Sequence, residues 1–211
     1  MLLIMLSTLG WTATPTAGLE WAPLSRADLS WVAEGRTTGR AVGELDGTAH
    51  PALRAWAGAW LSERFGLTGG LGVARLQSTV WVDDTWRSRH WGVLRPSIDA
   101  RFSLLRRDSD LPRPLLLLGL HGDIPSARDV SNGFTEAELE QADVDAEIER
   151  ARLGGFGGRV GAGADIAVHP NVALGFQWTA TWHRSVLRTS EASTVSSWVA
   201  GEAALTIAFE W

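Results

Sequence analysis

The segment "WHRS" (182–185) places His183 and Ser185 two residues apart. In an extended chain those side chains share a face. An imidazole beside a hydroxyl, oriented by a carboxylate, is the equipment of nucleophilic acyl transfer. Glu191 or Glu202 is the candidate for the third role. A second pair with the same spacing, His121 and Asp123, is read as a satisfied polar pair, because no set of His, Asp and Glu in the chain has metal-binding spacing. The glycine-rich "GFGGRVGAG" (155–163) lacks the strand-before, helix-after setting of a phosphate loop. No metal and no cofactor is therefore expected.

Composition narrows the setting. The chain has 211 residues and a formal net charge of −5, and its basic residues, all Arg, are dispersed, so no nucleic-acid partner is expected. It has no Cys, hence no disulfide framework and no thiolate metal site. Residues 1–11 are an apolar run too short to span a bilayer, followed by small residues and a Pro; 1–18 is expected to be a signal peptide and 19–211 a single domain. Elsewhere no run of about 18 apolar residues predicts a transmembrane helix.

The elements that must hold the polar residues are written with a period of two. Eight alternating segments are predicted as strands, at 24–34, 51–62, 67–82, 90–105, 113–123, 155–169, 172–183 and 197–211. Each suffices for a tilted membrane-crossing strand of about 9–11 residues. The connections alternate long and short: 35–50, 63–66, 83–89, 106–112, 124–154, 170–171 and 184–196. A transmembrane barrel sorts its loops this way, with tight turns on one membrane face and free loops on the other. In the longest loop, Thr135 and Glu138 form a capping box and predict a short acidic helix over 135–152. Its charges are read as a solvated run, with divalent-cation or lipopolysaccharide binding as the lesser alternative.

One face of each strand is apolar; the other carries Gly, Ala, Thr and opposite charges, with no Lys. Small residues and paired charges suit the enclosed lumen of an eight-stranded barrel, which side chains just fill. Arg26, Arg95, Arg101 and Arg159 are expected to pair there with Asp28, Asp99, Asp165, Glu202 and Glu210. Arg75 is also placed inward, since facing lipid costs about 2–4 kcal/mol. That requires Leu71 and Val73 inside, or a bulge in "GGLG" (69–72) that reverses the phase. Trp31, Trp81, Trp86, Trp91, Trp182 and Trp198 fall near the long-loop ends, and Trp60, Phe65 and Trp211 near the short-turn ends, as two interfacial aromatic girdles.

The terminal "LTIAFEW" carries a family resemblance. The chain resembles the small outer-membrane β-barrels of Gram-negative bacteria, the OmpA- and OmpX-like eight-stranded group. In that group the last strand alternates apolar residues and ends on an aromatic, usually Phe, which the barrel-assembly machinery recognises. Leu205, Ile207, Phe209 and Trp211 match, with Trp in place of Phe. The resemblance implies an all-β fold: an eight-stranded antiparallel up-and-down transmembrane barrel, here with a helix in its third external loop. It implies a monomer in the outer membrane with both ends periplasmic, surrounded by lipid and lipopolysaccharide, that meets the assembly machinery during insertion. A structural or surface-interaction role is expected, and not that of a general porin. Two alternatives stand beside it. His183 and Ser185 are similar to the His-x-Ser motif of lipid A deacylases, also small barrels. Val186 replaces that family's Asn, and the strand phase turns His183 inward, whereas that family's site faces lipid. The other alternative is a soluble periplasmic ligand-binding barrel with its apolar face inside.

Overall fold

The computed structural model describes residues 13–35, 39–47, 52–82, 85–106, 111–131, 154–188 and 192–211, with side-chain placement for 13–23, 52–74, 92–106, 111–126, 154–184 and 199–211. Its strands are β1 (Thr14–Gly35), β2 (Gly39–Gly47), β3 (Ala52–Trp60), β4 (Phe65–Val82), β5 (Thr85–Ser103), β6 (Arg113–Ser131), β7 (Gly155–His169), β8 (Val172–Arg188) and β9 (Ala192–Glu210). From β3 to β9 sequential strands pair in order, β1 pairs with both β2 and β3, and β9 returns to pair with β1, so the sheet is closed. Along one edge of β1, β3 pairs with Thr14–Ala22 and β2 with Ala27–Gly35. The two therefore occupy one position in the wall, and the barrel is eight strands round. All pairings are antiparallel.

Three expectations change. The connections at 35–50, 83–89 and 184–196 are mostly strand: β1 and β2 leave only 36–38 between them, β4 and β5 leave 83–84, and β8 and β9 leave 189–191. Alternation of hydropathy marks a strand only where one face meets lipid; beyond the bilayer both faces are wet, and the ladder continues without that signature. Neither condition set for an inward Arg75 is met: Leu71 and Val73 are exposed, and β4 pairs with β5 in one unbroken register from Phe65 to Val82, with no bulge at 69–72. The first strand begins at Thr14 rather than at 24, so Thr14–Gly18 of the expected leader pair with Trp56–Trp60. The register of β1 on β9 shifts between Trp21 and Leu24, beside Pro23, which can give no ladder hydrogen bond. The helix predicted over 135–152 lies outside the described residues.

The barrel is apolar outside and polar inside. Leu94, Ile98, Phe102 and Leu104 of β5 and its turn are exposed, as are Leu116, Leu118 and Leu120 of β6 and Leu174, Phe176 and Trp178 of β8. On β5, Arg95, Ser97, Asp99, Arg101 and Ser103, the residues between, are buried. Asp99 has no exposed surface, while its neighbour Ile98 is 63% exposed. Soluble monomers rarely leave such a contiguous belt of Leu, Ile and Phe uncovered; lipid is the solvent that matches it. The short end is closed by a turn in which Phe65 N–H donates to Ser62 Oγ at 3.1 Å, and by the 170–171 turn.

Candidate functional site

The candidate site is the lumen, built in layers along the barrel axis. Nearest the short-turn end, Arg113 Nε donates to Asp165 Oδ1 at 2.6 Å. Next, the Arg101 guanidinium carbon sits 3.8 Å from the centre of the Trp56 ring. That contact partly replaces the water a buried cation has lost.

At mid-height four charges from four strands converge. Arg54 Nη1 donates to Glu20 Oε2 at 3.1 Å and Nε to Ser97 Oγ at 3.0 Å, and its Nη2 pairs with Asp99. Arg159 Nη2 reaches Glu20 Oε1 at 3.3 Å, and its Nε lies 3.7 Å from Asp99 Oδ1. Two carboxylates thus face two guanidinium groups in alternation. Glycines give these long side chains room. A Cβ on Gly70 would stand 2.7 Å from the Arg54 guanidinium carbon, and one on Gly18 would collide with the Trp56 indole.

Above this layer Arg95 Nε donates to Asp123 Oδ1 at 2.7 Å and Nη1 to Glu202 Oε1 at 3.1 Å. Asp123 Oδ2 lies 3.2 Å from His183 Nδ1 and 3.6 Å from His121 Nε2. The registers explain the meeting. His121 pairs with Gly157, and Gly157 pairs with His183, so the three lie in one row across β6, β7 and β8. With no side chain between them, the two imidazoles come within 6.2 Å, centroid to centroid. Gly155, opposite Asp123, has φ +136°, where a side chain is strained, and the adjacent Gly154 carbonyl lies 2.9 Å from His183 Nε2.

Of the expected lumenal charges, Arg95, Asp99, Arg101, Arg159, Asp165 and Glu202 are buried inside. Glu210 shares the lumenal face of Glu202 and is half-buried. Arg26 and Asp28 pair in register with Gly201 and Val199, but their side chains and that of Arg75 lie outside the described residues. Partners differ in part from expectation. Asp165 takes Arg113, and Arg159 takes Glu20 beside Asp99. Glu20, Arg54 and Arg113 were not singled out by the sequence.

In the acyl-transfer set, His183 is buried in the lumen and engaged by Asp123 and Gly154. Glu202 is held by Arg95, and the side chains of Ser185 and Glu191 lie outside the described residues. Trp182 is exposed on the outer face; the side chains of Trp31, Trp81, Trp86, Trp91 and Trp198 are not among those described. Trp60 departs from the girdle: it is buried, on the face of Arg54 and Trp56. On the last strand Leu205, Phe209 and Trp211 are exposed on the outer face and Ile207 is half-buried.

No family model matches the sequence, and no curated protein does. Solved structures do. The outer membrane protein OprG from Pseudomonas aeruginosa has 10% identity, covering 94% of this chain and 95% of its own, with a TM-score of 0.61. Neisserial surface protein A has 14% identity, covering 92% and 97%, with a TM-score of 0.49. The chain has the fold of the small eight-stranded outer-membrane barrels.

Proposed function

We propose that this protein is an integral outer-membrane barrel with a structural or surface-interaction role and a lumen closed to general diffusion. One observation carries the reading: the ion pairs that cross the lumen at mid-height, Glu20 and Asp99 with Arg54 and Arg159. They fill the space a solute would need, and the eight-stranded wall leaves no second route. The lipid A deacylase alternative loses support because His183 points away from lipid and is engaged by lumenal partners. The soluble-barrel alternative is opposed by the apolar exterior. In this reading the chain is a monomer with both ends at the periplasmic face, lipid and lipopolysaccharide around its belt, and the barrel-assembly machinery as its transient partner.

The test is electrical. The refolded chain in planar bilayers is expected to give no sustained conductance step. A stable open channel comparable to a porin would overturn the closed-lumen reading. Protease shaving of intact cells tests the orientation, with cleavage expected within 132–153.

A further inference from the structure

We propose that His121, Asp123 and His183 bind a divalent transition-metal ion of the zinc class at the long-loop end of the lumen. The three side chains are fully buried, and each offers one ligand atom within 4.8 Å of the others. Two imidazoles and a carboxylate are a donor set that suits zinc and its neighbours rather than calcium or magnesium. A tetrahedral ion with bonds of about 2.0–2.1 Å sets its ligand atoms about 3.3 Å apart. The two contacts to Asp123 Oδ2, 3.2 Å and 3.6 Å, bracket that spacing.

Hydrogen bonding supplies an independent argument. A carbonyl only accepts, so at 2.9 Å from Gly154 O the His183 Nε2 must carry the hydrogen. In the neutral ring Nδ1 then presents a lone pair, and it faces the carboxylate oxygen Asp123 Oδ2 at 3.2 Å. Two electron-rich atoms at that distance need either a metal ion or a proton between them. The supporting groups match those that orient metal ligands: a backbone carbonyl fixes the imidazole, and Arg95 holds the other oxygen of the carboxylate. Charge agrees as well. Among the described residues, Arg95 bridges Asp123 and Glu202, so those two carboxylates share one guanidinium. Gly155 and Gly157, opposite Asp123 and His121, leave the cluster its space. A Cβ at 157 would stand 2.6 Å from the His121 ring.

A proton on His183 Nδ1 is the competing occupant, and the experiment separates the two. The full chain, refolded in detergent and stripped with chelator, is equilibrated with zinc and dialysed. About one zinc per chain is expected to remain, with a cobalt-substituted form showing a visible ligand-field spectrum. His121→Gln and His183→Gln are each expected to weaken zinc binding at least tenfold. A variant with His50, His90 and His169 all changed to Gln keeps it. Heat-modifiable gel migration reports whether each variant is folded. If the cluster variants do not refold, X-ray absorption of the zinc-loaded native chain decides, with imidazole ligands expected in the metal's shell. No retained zinc, a shell without imidazole, or loss only in the three-histidine variant overturns the proposal.

Discussion

Glu20 and Arg159 stand 139 residues apart in sequence and meet at 3.3 Å inside the barrel. They belong to β1 and β7, which are not neighbours in the sheet. Glu20 also takes Arg54, so one carboxylate ties together three parts of the wall. Glu20→Ala would leave two buried guanidinium groups sharing Asp99. Breaking a buried pair in this way costs about 3–5 kcal/mol. Urea unfolding of the refolded chain is expected to show a loss of that size; a loss under about 1 kcal/mol would mean the lumen is wet enough to solvate the arginines.

The outer belt makes the opposite demand. Ile98→Arg puts a charge where lipid is expected, at a cost of about 2–4 kcal/mol. Ile98→Leu keeps the transfer energy and should be nearly neutral. Equal stability of the two variants in lipid vesicles would place Ile98 outside the hydrocarbon.

Adjacent glycines read the two faces separately. At Gly70 a methyl group meets the Arg54 guanidinium, whereas at Gly69 the nearest atom is 3.9 Å away. Gly70→Ala is expected to destabilise the barrel by about 1–3 kcal/mol, the usual range for overpacking. Gly69→Ala should change it by less than about 0.5 kcal/mol. Thermal gel-shift midpoints of the two variants test the contrast.

Trp211 projects from the outer face at the end of β9, and its backbone N–H reaches Pro15 O at 3.3 Å. Trp211→Ala keeps that backbone bond and removes the indole. If the terminal aromatic is the assembly signal, the variant refolds in vitro nearly as well as the native chain but accumulates less heat-modifiable barrel in cells. Equal accumulation would remove the indole from the assembly step.

Much of the wall was legible because a membrane strand declares its faces residue by residue. Ile98 beside Asp99 and Phe102 beside Arg101 are enough to assign inside and outside on β5. Glu20 escaped because the alternation breaks at Ala22–Pro23, where the β1–β9 register shifts, and the strand's first half was not recognised as one. Arg54 escaped for a different reason. In "ALRAWAGAW" both faces are apolar, since Trp56 and Trp60 turn inward. The His121–Asp123–His183 cluster was out of reach in principle. Spacing along the chain pairs His121 with Asp123, but His183 arrives through two strand registers that hinge on Gly157. A one-residue slip in either would turn it to lipid.

The pairing of β1 with β9 runs from Thr16 to Gly35 against Ala192 to Glu210, so the earliest and latest parts of the wall complete one another. Until β9 exists, β1 and β8 each present an open row of backbone donors and acceptors, and hydrocarbon cannot satisfy them. Without a partner to cover those edges, an incomplete chain is not stable in the hydrocarbon. A chain stopped before residue 192 lacks the strand that closes the wall, so it is expected to be degraded in cells and not to stand as a smaller barrel.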